Sequence, residues 1–332
     1  MKNTTGYRLN ALIDCSEPFE IIEHLMIGSE GTLGFISEIS FRTVIQHPFK
    51  ASSLMIFPDI EKACTAVSLL KPTPVSAVEL IDRAGLRSVE NEKGMPEFLK
   101  LLQNNACALL VETVAPGKEE LDKNIEKIKL SLREIPTEMA LHFTDIPAGY
   151  ELLWKIRKGL FPSVGAMRKT GTTVIIEDVA FPVPRLAEAT SDLQNLLSKF
   201  GYSEAVIFGH ALEGNLHFVF TQDFSTQEEI DRYAKLMSEV SDLVINKYDG
   251  SLKAEHGTGR NMAPYVEMEW GKEAYKLMME IKRIFDPLNI LNPGVILNPD
   301  KEVHLKNLKP IPAASEITDK CTECGFCEPS CV

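Results

Sequence analysis

The chain predicts an α+β fold, an antiparallel sheet covered by helices on one face. Short β-favouring runs alternate with helical ones from Pro48 onward. Several of those runs alternate apolar and polar residues, as in Val174-Ile175-Ile176-Glu177-Asp178, which is how a sheet with one face on the core reads. With 332 residues, 44% of them hydrophobic and 25% charged, the chain has the composition of a soluble globular protein and the length of about two domains.

The first 45 residues behave like the end of a longer domain. Residues 7–12 and 21–27 have β or buried character. Gly28-Ser29-Glu30-Gly31-Thr32-Leu33-Gly34 follows, then an alternating strand over 35–41. Three glycines in seven residues let a backbone approach a ligand closely. Neither a P-loop nor a dinucleotide fingerprint is present, so a plain tight turn remains an alternative. A segment this short is expected to have its partner strands upstream.

Strands are then predicted over 53–57, 75–81, 107–114, 139–144, 173–181, 205–208 and 216–220. Helices lie between them. Ala63, Val67 and Leu70 share one helical face, Asp82 is an N-cap, and Leu121, Ile125, Ile128 and Leu132 recur at helical spacing. Further helices are predicted over 150–159, 186–200, 228–248 and 274–285. After Asn292-Pro293-Gly294 the sequence turns Pro- and Lys-rich, which reads as a linker.

A formal charge of −12 argues against a surface that tracks nucleic-acid phosphates. No apolar run is long enough to span a bilayer, and the start carries no secretory leader, so a cytoplasmic location is expected. Cys15, Cys64 and Cys107 are scattered, which suits a reducing compartment better than a disulfide scaffold.

Two stretches carry chemistry. His210 and His217 flank Leu212-Glu213-Gly214-Asn215, a hairpin turn in composition. With the turn centred between Glu213 and Gly214, the two imidazoles are directly opposed and form a preformed chelate. Alternatively they are two unrelated histidines on a hairpin. Glu255, in Glu255-His256-Gly257-Thr258-Gly259, could supply a carboxylate. The second stretch is the terminal run Cys321, Cys324, Cys327, Cys331, whose C-x2-C-x2-C-x3-C spacing is that of bacterial ferredoxins. The chain ends one residue later, so no intact cluster is expected in it.

Taken in order, residues 28–34, His210-x6-His217, Glu255-His256-Gly257-x-Gly259 and Asp286-Pro287-x-Asn289-x-x-Asn292-Pro293-Gly294 resemble the FAD-linked oxidases of the vanillyl-alcohol-oxidase/PCMH superfamily. The resemblance is to their D-lactate, D-2-hydroxyglutarate and glycolate dehydrogenase branch, and the cysteine run points to forms with an iron–sulfur domain. It implies the C-terminal part of a PCMH-type FAD-binding domain over 1–47, a substrate or cap domain over 48–298, a linker over 299–320 and the start of a 4Fe–4S domain over 321–332.

Carried over residue by residue, it implies FAD contacts from Gly28, Ser29, Glu30, Gly31, Thr32, Gly34, Ile39 and Asn292. It implies a divalent metal (zinc, manganese or iron) on His210, His217 and Glu255, His256 as general base, and Arg157 on the substrate carboxylate. For Glu30 a loop-ordering role, and for Arg157 a place on a solvated basic helix face, are the simpler alternatives. A lysine that holds substrate in the hydroxyglutarate branch falls near Ile176, which favours a monocarboxylate. The implied reaction is oxidation of a D-2-hydroxy acid, D-lactate first, with glycolate, D-2-hydroxyglutarate or a non-catalytic electron-transfer subunit as alternatives. The implied electron acceptor is a quinone, cytochrome or electron-transfer protein. A homodimer and a peripheral site at the inner face of a membrane complete these expectations.

The chemistry asks for these residue types. Oxidising a 2-hydroxy acid removes a hydroxyl proton and a Cα hydride. A two-His, one-carboxylate metal acidifies the hydroxyl, an imidazole takes its proton and a guanidinium grips the carboxylate.

Overall fold

The computed structural model describes residues 1–308, 314–315 and 318–321. The chain divides into two compact units. The smaller comprises Met1–Ile45, Asp178–Pro182 and Ser238–Leu308, and the larger is built on Gln46–Glu177 and Val183–Met237.

Chain order begins with helices α1 (Ala11–Asp14) and α2 (Pro18–Met26). There follow β1 (Phe49–Phe57), α3 (Ile60–Leu70), β2 (Ala77–Ile81), α4 (Arg83–Val89), β3 (Cys107–Ala115), α5 (Lys118–Ser131), α6 (Pro147–Met167) and β4 (Thr172–Ala180). The chain continues through α7 (Leu186–Lys199), β5 (Val206–His210), β6 (Asn215–Asp223), α8 (Gln227–Asp242), α9 (Gly259–Met262) and α10 (Val266–Phe285).

The six strands form one sheet in the order β1-β3-β2-β5-β6-β4. The pairings β1–β3, β2–β3, β2–β5 and β5–β6 are antiparallel. The α+β class is therefore as the sequence predicts. Asp82 caps α4 as expected, its carboxylate accepting from Gly85 N–H at 2.8 Å.

Helices cover more of the sheet than its alternation suggested. Ile56, Ile81, Ala108, Val206, Phe208 and Val219 form one core with Leu86 and Val89 of α4 and Ile156, Leu160 and Val164 of α6. Residues alternating with these, Met55, Phe57, Leu80 and Leu109, are also fully buried. They face the opposite way, where α3 packs on β1, β2, β3 and α7. The central strands are consequently near-continuous apolar runs, the pattern of a sheet buried on both faces.

The smaller unit is held by Tyr7, Leu25, Leu33, Val266, Met278, Ile281 and Ile296. Within it Ala180 and Ser251 form an isolated antiparallel bridge, and Phe181 packs edge-on to Tyr248 with centroids 5.5 Å apart.

Three local expectations fail for identifiable reasons. Residues 21–27 lie in and just beyond α2, where Pro18 sits at the first turn and the apolar residues fall on one helical face. Residues 35–41 form no strand, and Phe35 and Phe41 are 89% and 82% exposed. A strand needs a neighbour to take its backbone hydrogen bonds, and none of the described residues supplies one. Over 139–144 only Thr144 pairs, in a bridge to Ser52.

Candidate functional site

The strand face that buries Ile81, Phe208 and Val219 carries Glu79, His210 and His217, each two residues from its apolar neighbour. The site of the larger unit thus extends its core.

The hairpin register differs from the expected one. Phe208, not His210, is the partner of His217. The turn is a 3-10 turn at Ala211–Glu213 closed by Gly214 in the left-handed region at φ 68°, so its centre lies one residue earlier than assumed. Moving the centre by one residue moves the register by two, which leaves both histidines on the same face as diagonal neighbours. Their ring centroids are 5.6 Å apart and nearly perpendicular, and a ring nitrogen of each lies within 4.8 Å of the other's.

Glu79 organises this face. It pairs with His210 across β2 and β5 and is 4% exposed. His210 Nδ1 lies 2.6 Å from its Oε1, and Arg157 Nε donates to its Oε2 at 2.7 Å. Burial pushes the Glu79 carboxyl upward, but the His210 hydrogen bond and the Arg157 charge outweigh it and hold it below the usual carboxylate range. A carboxylate only accepts, so His210 Nδ1 carries a proton and donates to it.

Arg157 reaches the site from α6 and stacks on the Phe208 ring, its guanidinium carbon 4.4 Å from the centroid. Phe208 in turn lies 5.3 Å from the His217 ring. With 16% side-chain exposure, Arg157 is not part of a solvated basic face. Asn215, two residues before His217, is fully buried, and neither polar atom of its amide has a hydrogen-bond partner among the described residues.

Two imidazoles a few ångströms apart, one tautomerically fixed by a buried carboxylate, suit the nitrogen half of a divalent-metal site. The buried amide of Asn215, on the same strand face as His217, offers a polar group that a bound ligand or water could satisfy.

The remaining sequence candidates are gathered in the smaller unit. Asp178, fully buried, accepts from the N–H groups of Glu255 and His256 at 2.7 and 2.9 Å. Lys2 Nζ lies 2.7 Å from Glu255 Oε2. Glu30 accepts from Thr258 N–H at 2.6 Å and Gly259 N–H at 2.8 Å, the loop-ordering role. Burial raises its pKa, and those two amides oppose the rise. A side chain at Gly257, where φ is +75°, would stand 2.7 Å from that pinned carboxylate, so glycine is required on both counts.

Asn292, at φ 42°, donates from Nδ2 to the Glu30 carbonyl at 2.7 Å. Ser29 and Thr32 are buried, Thr32 Oγ1 donating to the Ser29 carbonyl at 2.7 Å. Gly28 and Gly31 have φ of 78° and 70°, and a Cβ on either would meet nothing within 4 Å. Left-handed glycines on open space leave main chain for a bulky cofactor to approach, so the loop suits the FAD role. Ile39 is exposed.

Of the four terminal cysteines, Cys321 is exposed, and Cys324, Cys327 and Cys331 lie outside the described residues.

Sequence reasoning missed Glu79 and Asp178. Glu79 stands among apolar neighbours in Val78-Glu79-Leu80-Ile81, and Asp178 follows Glu177 at the end of the apolar run Val174-Ile175-Ile176; a carboxylate in a buried strand is itself a signal.

Residues 46–296 match the family described as FAD linked oxidases, C-terminal domain. Among curated proteins, the chain is 28% identical over 291 residues to the glycolate oxidase subunit GlcD of Bacillus subtilis, covering 84% of this chain and 57% of the relative. It is 31% identical over 284 residues to the mitochondrial D-lactate dehydrogenase [cytochrome] of Arabidopsis thaliana, covering 84% and 47%. The chain spans about half the length of the curated relatives it matches. The fold is shared with a solved 4-ethylphenol oxidase from Gulosibacter chungangensis, at 14% identity and a TM-score of 0.55 over 76% of this chain and 55% of that one. With the family match spanning most of its length, the chain belongs to the FAD-linked oxidases and carries their C-terminal domain.

Proposed function

We propose that the protein of which this chain is part oxidises a D-2-hydroxy acid, with D-lactate the preferred substrate. The observation that carries the reading is the group Glu79, His210 and His217 on one strand face, met by Arg157 from α6. Relatives named D-lactate dehydrogenase, glycolate oxidase subunit GlcD and D-2-hydroxyglutarate dehydrogenase support it.

In this reading His210 and His217 would hold a divalent ion, which when bound would lower the pKa of a coordinated hydroxyl. Arg157 spends Nε on Glu79 and directs its two terminal nitrogens to the substrate carboxylate. His256, its N–H fixed by Asp178, takes the hydroxyl proton. Residues 28–34 and Asn292 would hold FAD, which would supply the acceptor for the Cα hydride. Ile176, packed against the core cluster of this face, offers no charge to a second carboxylate, which favours a monocarboxylate over hydroxyglutarate. Cys321, Cys324, Cys327 and Cys331 would supply ligands to iron–sulfur clusters, which would carry electrons onward.

Zinc titration of this chain, with and without His210→Ala, tests the metal reading. About one equivalent is expected for the wild type, with tenfold or greater weakening in the variant. Equal binding by both refutes it. A panel of D-lactate, glycolate and D-2-hydroxyglutarate on the flavin-loaded protein tests the substrate, and a preference for the dicarboxylate overturns that part.

A further inference from the structure

We propose that Glu79 is a positioning residue that couples the metal ligand His210 to the carboxylate clamp Arg157, and so sets the spacing at which a hydroxyl and a carboxylate are read together. This rests on the functional reading above and deepens it toward substrate class.

Glu79 sits in the middle of a short strand whose other four residues are Ala77, Val78, Leu80 and Ile81. A carboxylate there carries a desolvation penalty that an apolar residue would avoid, so its presence asks for a reason beyond packing. Both of its oxygens are committed, Oε1 to His210 Nδ1 at 2.6 Å and Oε2 to Arg157 Nε at 2.7 Å.

Each contact selects which atoms could meet a ligand. With Nδ1 bonded to Glu79, an ion held by His210 would be taken by Nε2. With Nε occupied, Arg157 keeps its terminal pair, the end-on fork that matches a carboxylate. Stacking on Phe208 fixes the plane of that fork, and Phe208 also packs on His217. His210 and Arg157 come from different elements, β5 and α6, and one rigid carboxylate bridges them. The separation of ion and clamp is therefore fixed by Glu79 itself. A fixed separation favours acids whose hydroxyl is on the carbon next to the carboxylate over those in which it is one carbon further away.

The test uses cobalt(II), whose visible d–d bands report coordination, on the whole chain. Glu79→Gln keeps the shape but supplies one neutral acceptor in place of two charged ones. Because it leaves Arg157 uncompensated, Glu79→Gln with Arg157→Met is the second variant. His210→Ala is the control for the metal reading.

Circular dichroism and the unfolding midpoint establish that each variant folds. Glu79→Gln is expected to weaken cobalt binding by ten- to a hundredfold with altered d–d bands. It is also expected to abolish the spectral change that D-lactate, but not 3-hydroxybutyrate, produces in the wild-type cobalt protein. The double variant is expected to match it in cobalt affinity. Wild-type affinity and bands in both Glu79 variants, with binding lost in His210→Ala, overturn the proposal alone. Undiminished binding in His210→Ala overturns the metal reading and the proposal with it. Equal responses to the 2- and 3-hydroxy acids refute the spacing argument.

Discussion

Gly209→Ala should open the hairpin that carries His210 and His217. A Cβ built on Gly209 stands 2.2 Å from the Asn215 carbonyl oxygen, 2.8 Å from Leu216 Cα and 3.0 Å from the Asn215 carbonyl carbon. All three belong to the backbone of β6, so no side chain can swing away. Restoring ordinary contact requires β5 and β6 to separate by about an ångström, in a core packed like an organic crystal. Gly209 also pairs with Leu80 on its other side, which blocks the alternative movement.

Overpacking of this kind costs about 1–3 kcal/mol. At roughly 2–4 °C per kcal/mol for a unit of this size, the midpoint of thermal unfolding should fall by about 2–12 °C. Gly159→Ala is the matched control. It lies inside α6 with Val89 Cγ1 at 3.4 Å, an ordinary contact, and should stabilise by roughly 0.4–1 kcal/mol. Thermal scans followed by far-ultraviolet circular dichroism, paired with zinc titration, measure both. If Gly209→Ala melts with the wild type and binds zinc as well, the close approach of the two strands is not what holds the histidines together.

Three further outcomes are expected. Burial raises the pKa of Glu269, against opposing hydrogen bonds from Leu252 N–H, Thr5 and Asn3. Its folded pKa exceeds the unfolded one, so its favourable contribution is complete below the unfolded value near 4.5 and is lost as pH rises through the folded pKa. Relative to wild type, Glu269→Gln should therefore gain in urea resistance from pH 4 to pH 7, and an unchanged or reversed difference would contradict that sign. Asp178→Ala removes the acceptor of the Glu255 and His256 amides and should cost about 2–4 kcal/mol, with faster hydrogen exchange at those two amides. Burial pushes the Cys64 thiol to about 12 and the Cys107 thiol well above its usual value. Both should resist iodoacetamide at pH 8 in the native protein and react once it is unfolded, as read by peptide mass spectrometry.

The sheet and its helices were legible because their signals are local. Apolar runs such as 107–114 and the helical face of Ala63, Val67 and Leu70 announce themselves at short range, and residues 107–111 and that helical face prove buried. The histidine pair was legible as a pair, but not its register, because one residue of turn geometry decides it and Leu212-Glu213-Gly214-Asn215 admits more than one centre. Residues 35–41 show the opposite limit: alternation proposes a strand, but only a neighbouring strand can make it one. Glu79 and Asp178 escaped notice because their partners are far away in the chain. Glu79 meets Arg157 and His210 only after α6 and β5 have been laid down. A lone acidic residue in an apolar run was the available clue.

The 3-10 turn at Ala211–Glu213 carries a last consequence, for how this protein can change over generations. Sheet faces alternate residue by residue, so adding or deleting one residue between the two strands would turn His217 to the opposite side while leaving His210 where it is. Two residues would preserve the face and merely displace the ring along the strand. The turn therefore acts as a parity lock: drift in its letters is tolerable wherever Gly214 keeps its left-handed geometry, whereas drift by a single position in its length is not. Surface loops elsewhere in the larger unit carry no such arithmetic and are the places where insertions should accumulate.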